Sequence, residues 1–183
     1  MYLEKVGLDK RDTMRAFFAF LKSLFTAKPT PEVKPPVKPI EKPVQDDSMP
    51  WYKIALKEVG TKELDGSANN PRVIKYHKST SLKAEQDSVP WCSSFVTWCL
   101  EEAGYKSTDS AWARSYLKYG TKLEHGKKGC IVVFTRGTDS GHVAFYERET
   151  AHHIYCLGGN QSNEVNVKPY AKANLLGYRW PVK

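Results

Sequence analysis

The sequence predicts an α+β domain in which N-terminal helices pack on an antiparallel sheet of about five strands, preceded by a tail of separate composition. Three observations carry this. Six of the eleven prolines fall within 29–43 (PTPEVKPPVKPIEKP). Segments with helical spacing fill 50–120, and from Gly129 onward the apolar period shortens to that of strands. Hydrophobic residues make up 40% of the 183 and aromatics 12%, enough for one packed core of ordinary domain size.

In the tail (1–28), Met14, Phe17, Phe18, Leu21, Leu24 and Phe25 recur at helical spacing, with Arg11, Arg15 and Lys22 on other faces. A short amphipathic helix is expected, which either docks on a membrane surface or partner protein through residues 14–25, or folds back on the core or pairs with itself. The apolar run AFFAFL is too short for a membrane span and lacks a small-x-small cleavage site, so no secretory signal is read there and synthesis in a cytoplasm is expected. Residues 29–49 read as a semi-rigid polyproline linker.

The core, 50–183, opens with PWYKIALKEVG, a helix with proline in its first turn and Gly60 at its end. A polar loop (DGSANNP) and a second helix (RVIKYHKST) follow. WCSSFVTWCLEEAG, opened after Pro90 and closed by Gly104, is the third helix, and AWARSYLKYG the fourth. GCIVVFT, HVAFYER, HIYCLGG, EVNVK and LLGYRW then read as strands between Gly, Asp and Asn turns.

The formal charge of +8 divides into a net +2 for residues 1–49 and +6 for the core, which suits a polyanionic partner. No zinc-finger, helix-turn-helix or ribonucleoprotein signature accompanies the charge, so no nucleic-acid partner is expected. Cys92, Cys99, Cys130 and Cys156 are widely spaced, without a CxxC pair, which implies neither a zinc ribbon nor a disulfide frame.

Cys92 falls in the first turn of a helix, where backbone N–H groups and the helix dipole favour the thiolate. Cys99, Cys130 and Cys156 lie on apolar faces and read as core. A thiolate nucleophile needs an imidazole, and His142, following Gly141 at a strand start, is the best placed of five. His77 at a charged helix end, His125 in a loop, and His152 and His153 at the hairpin's far end read as solvated. Asn160 closes the strand that should return beside His142, where its amide could orient the ring; an Asn after two glycines is equally a turn residue.

The runs VPWCSSFVTWCLEEAG, ARSYLKYGT, GCIVVFTRG, SGHVAFY, LGGNQSN and LLGYRWP, in that order, resemble the CHAP and NlpC class of papain-like peptidoglycan amidases and endopeptidases, nearest the branch found in phage endolysins. The resemblance covers 50–183 and not the tail. It implies a papain-like fold, Cys92 as nucleophile, His142 as base and Asn160 as orienting residue, with bacterial peptidoglycan as substrate. Gly158 stands where many CHAP enzymes have a Glu, which favours a Cys-His-Asn set. Trp91, Trp112 and Arg114 are candidates to line the cleft, Arg114 by pairing with a stem-peptide carboxylate, although core packing is the simpler role for both tryptophans. DGSANN has one carboxylate, so no metal is expected, nor any cofactor. A monomer acting on the wall in the periplasm or outside is the resulting expectation. The alternatives are a non-catalytic wall-binding module and a related thiol hydrolase or acyltransferase acting on protein or lipid.

Overall fold

A computed structural model describes residues 49–183. The amphipathic segment 14–25 and nearly all of the proline-rich stretch 29–49 lie outside the described residues. Helix α1 (Pro50–Lys57) begins on its proline and buries Trp51, Tyr52 and Ala55, the stripe that i, i+1 and i+4 spacing places on one face. It ends earlier than Gly60 because Glu58 turns inward. There the carboxylate takes two hydrogen bonds from Arg72, at 2.6 and 2.5 Å, and one from Tyr76 at 2.5 Å. Both partners belong to α2 (Pro71–His77), capped by Asn70, whose Oδ1 accepts the Arg72 N–H at 2.8 Å. A nearly buried carboxylate held by a guanidinium and a phenol thus fixes the two helices to each other.

Helix α3 (Cys92–Glu102) is buried on every side from Cys92 to Leu100, which explains a stretch without charge on any face rather than a striped one. The fourth helical segment is a 3-10 helix, Ala113–Lys118.

Among the described residues six strands, one more than expected, form a single antiparallel sheet: β1 (Thr121–Leu123), β2 (Ile131–Arg136), β3 (Ser140–Glu149), β4 (His153–Gly158), β5 (Asn166–Ala171) and β6 (Leu175–Trp180). Their order across the sheet is β1-β6-β2-β3-β4-β5. The extra strand is three residues long and pairs with the far end of β6, too short to have a readable alternation. Period-2 alternation divides the core. Ile131, Val133, Val143, Phe145 and Leu157 pack against the helices, whereas Val132, Phe134, Ala144, Ile154 and Cys156 pack on the other face. All four cysteines are buried and unbridged. Among the described residues no helix is long and apolar enough to cross a membrane.

Candidate active site

Cys92 is the first residue of α3, after Trp91 at the cap position. Strand β4 pairs with β3 as far as Leu157 opposite Phe145, then turns away, which leaves the β3 edge at His142 and Val143 open on that side. The first turn of α3 occupies the opening. The Val143 backbone N–H lies near the Cys92 sulfur and, with those of Ser93 and Cys92 at the helix start, favours its thiolate. Close approach at this corner demands glycine: a Cβ on Gly159 would lie 2.4 Å from Trp91 Cζ3 and 2.7 Å from Phe95 Cβ. Gly141 is constrained likewise, with the Phe134 carbonyl oxygen 2.9 Å from where a Cβ would sit.

The hydrogen bond to the His142 ring comes from Gln161, not from Asn160. His142 Nε2 lies 3.0 Å from Gln161 Oε1. Asn160 adopts a left-handed backbone, φ 54°, as do Ser162 (60°) and Asn163 (62°). Asn tolerates this region better than most residues, and the kink aims the next side chain, Gln161, under the ring. The expected triad is therefore corrected at its third member: Asn160 turns the chain, and its neighbour holds the imidazole.

Gln161 also decides the tautomer. Its Nε2 lies 3.2 Å from the Cys156 carbonyl oxygen, 2.6 Å from that of Asn166 and 3.1 Å from Asn166 Oδ1, three acceptors that only an NH2 group can serve. Oε1 must then face His142 as an acceptor, and the ring must carry its proton on Nε2. His142 Nδ1, buried and without a hydrogen-bond partner among the described residues, is left with a free lone pair. The Val143–sulfur contact puts the thiol one residue away along the strand.

Both groups are shut from water: Cys92 is 6% exposed and His142 0%. Burial pushes the imidazole down to about 3, helped by the positive charges of Arg136 and Lys168 and opposed by Gln161. Burial likewise pushes the Cys92 thiol above its ordinary value, against those three N–H groups and Arg136. Desolvation thus outweighs the helix start expected to ionise Cys92, and the resting pair is neutral thiol with neutral imidazole. Charge separation is favourable only as a concerted transfer, each ion then serving as the other's counter-ion.

Tyr170 closes the other face of the ring. It stacks on His142 (4.7 Å between centroids, 22° between planes) and on Phe134 (4.9 Å, 22°).

The residues expected to line a cleft divide. Trp91 is fully buried among Tyr76 and Phe95, its indole N–H donated to Glu63 Oε1 at 2.7 Å, so it is core and an anchor for the 61–70 loop. Asp87 holds the same loop, accepting the Leu64 and Asn70 N–H groups at 2.9 and 2.8 Å. Trp112, 55% exposed, and Arg114 border an open groove of about 760 Å³ with Tyr119 and Asp139. Arg114 donates to the Ser140 carbonyl at 2.9 Å, Thr135 Oγ1 at 2.8 Å and the Gly137 carbonyl at 2.8 Å. Three of its donors therefore hold the β2–β3 hairpin that carries His142, which leaves it a bracing residue more than a reader of carboxylates.

His77 is a second correction. It is fully buried, with Nδ1 3.2 Å from Ser94 Oγ, because α2 ends inside the molecule against the 86–89 segment. His125, His152 and His153 are exposed. Gln161 was visible in LGGNQSN beside the Asn chosen, but nothing in the spacing marks Arg136 or Tyr170.

No curated protein matches the chain. A family comparison does: residues 84–160 match the model of the CHAP domain, a stretch that takes in Cys92, His142 and Asn160. CHAP domains are generally cysteine- and histidine-dependent amidases or peptidases of peptidoglycan. With the α+β fold in place, the match shows a CHAP domain at residues 84–160.

Proposed function

We propose that the chain hydrolyses an amide bond of cell-wall peptides through a thioester on Cys92, with His142 as base and acid and Gln161 as the residue orienting it. The observation that carries this is the unpartnered Nδ1 of His142, a buried lone pair fixed in direction by a tautomer it cannot exchange.

As the substrate carbonyl approaches, the thiol proton passes to Nδ1 and sulfur attacks the carbonyl carbon. The resulting oxyanion finds the Cys92 backbone N–H, unsatisfied within its own helix because it lies in the first turn. The imidazolium returns its proton to the leaving nitrogen, the C–N bond breaks, and the acyl group remains on sulfur. Water, deprotonated by the same Nδ1, then attacks the thioester, releasing the carboxylic acid and the thiol. Throughout, Gln161 Oε1 accepts from Nε2–H and stabilises the charged ring.

The setting we favour is lysis of the endolysin type, with the protein made in the cytoplasm and acting on the wall in the periplasm or outside. Residues 14–25 would bring it to a membrane surface or partner, and a protein starting at Met49 that lyses as well as the full chain would count against that role. Digestion of purified peptidoglycan, with mass spectrometry of the released muropeptides, tests the core reading. New amine and carboxyl termini should appear with the wild type and not with Cys92→Ala. Undiminished wall digestion by that variant would overturn Cys92 as the nucleophile, and wall binding with no digestion even by the wild type would favour a non-catalytic wall-binding module. Cleavage of proteins or lipids alone would favour the related thiol hydrolase.

A further inference from the structure

Arg136 is the last residue of β2 and faces Ser140 across the hairpin, one alternation beyond Phe134, which faces His142. Alternation puts the Arg136, Phe134 and His142 side chains on one side of the sheet. Tyr170 spans that side, stacked on both Phe134 and His142, and hydrogen-bonds to the Arg136 side chain. The guanidinium is thus seated at the edge of the reactive centre by the ring that covers the base. Arg136 itself is exposed, and among the described residues no carboxylate forms an ion pair with it. One contact to Tyr170 leaves most of its five N–H donors for something else.

The surroundings say what that is. A second cation, Lys168, is held by a hydrogen bond to Ser162 and also acts on His142. No acidic side chain offsets the pair at the ring: the charged groups acting on it are these two cations. Two positive charges beside a base that must itself become positive oppose the imidazolium, although Arg136 also favours the Cys92 thiolate. An anion bound between them and the solvent removes that opposition. The substrate can supply it.

We infer that Arg136, seated by Tyr170, binds a free carboxylate on the substrate next to the scissile amide, so that the enzyme selects stem peptides bearing that carboxylate over their amidated counterparts. This rests on the hydrolase reading above and deepens it. A bidentate guanidinium–carboxylate contact fixes the peptide's register against Cys92. The bound negative charge also favours the imidazolium, so selectivity enters kcat as well as KM. Arg114, whose donors are spent on the hairpin, does not compete for the role.

The test uses two wall-derived disaccharide peptides that differ only in a carboxylate or a carboxamide beside the scissile bond. The wild type should cleave the carboxylate form with a kcat/KM about 10- to 100-fold higher, the range of one charge-assisted contact. Arg136→Gln should bring that ratio close to one, Arg136→Lys should restore part of it, and Tyr170→Phe should lower it. A purely structural role for Arg136 would depress both substrates alike and leave the ratio where it was, which overturns the inference. Equal cleavage of both by the wild type overturns it too, with the hydrolase reading intact. Failure to cut either fragment or whole peptidoglycan removes both.

Discussion

Replacing Gln161 by Ala separates the two neighbouring candidates for the third catalytic position. The change deletes one hydrogen bond to the His142 ring and three from the amide NH2. A hydrogen bond to a charged partner contributes about 1.5–3 kcal/mol, and the ring is charged only along the reaction path, so kcat/KM should fall about 10- to 150-fold, mostly in kcat. Stability should fall as well. The Cys156 carbonyl oxygen is left in the interior without its donor, at about 1–3 kcal/mol, and the melting temperature should drop by roughly 3–10 °C. Asn160→Gly supplies the contrast. Glycine accepts a φ of 54° more readily than asparagine, and no hydrogen bond to His142 is lost, so activity should stay within about twofold. The assay is cleavage of a soluble muropeptide well below either variant's melting temperature, with thermal melts run alongside. If Asn160→Gly loses as much activity as Gln161→Ala while both remain folded, the assignment of Gln161 is wrong.

Gly159→Ala forces a methyl group against Trp91 and Phe95, and should cost about 1–3 kcal/mol in denaturant unfolding while displacing the α3 start enough to slow thiol alkylation or turnover. Arg114→Ala unfastens the hairpin of His142 at Ser140, Thr135 and Gly137, so kcat should fall more than KM rises, and the wall-bound fraction in a pull-down should hold. His142 is neutral in the fold down to about pH 3 but takes a proton near 6.5 when unfolded. The unfolded chain therefore binds more protons between those values, and stability, whole above 6.5, drains away as pH falls toward 3, by at most about 5 kcal/mol. His142→Gln should flatten that part of the stability curve, and an unchanged slope from pH 6.5 to 4 would show that the ring is not buried neutral.

Helix α3 was legible because Pro90 opens it, Gly104 closes it and nine successive residues avoid charge. Cys92 was readable as a helix-start residue, and His142 as one that follows Gly141 near the start of a strand. Asn160 was read as the partner of the His142 ring, which instead bonds Gln161, because sequence order brings a strand end near a neighbour but says nothing of backbone handedness. Three left-handed residues in one turn shift the functional side chain by a single position. His77 was read as solvated from the lysines around it, whereas α2 ends in the interior, a fact fixed by loop packing with no local pattern. The same gap hid Tyr170: its partners Phe134 and His142 lie on β2 and β3, while its own strand pairs only with β4. Ring stacking across strands that do not pair leaves no trace in either strand's alternation.

The sheet order has a consequence for when the protein becomes active. β6, last of the six strands to leave the ribosome, is inserted between β1 and β2, so the strand bearing Phe134 and Arg136 has an open edge until Leu175–Trp180 has been made. Gln161 and Tyr170 also come after the segment that carries Cys92 and His142. A nascent chain that has already exposed its cysteine and histidine thus lacks the groups that aim the base and cover it. A wall-degrading activity assembled in this order has its reactive centre completed only once the whole domain is synthesised, a form of timing written into strand topology.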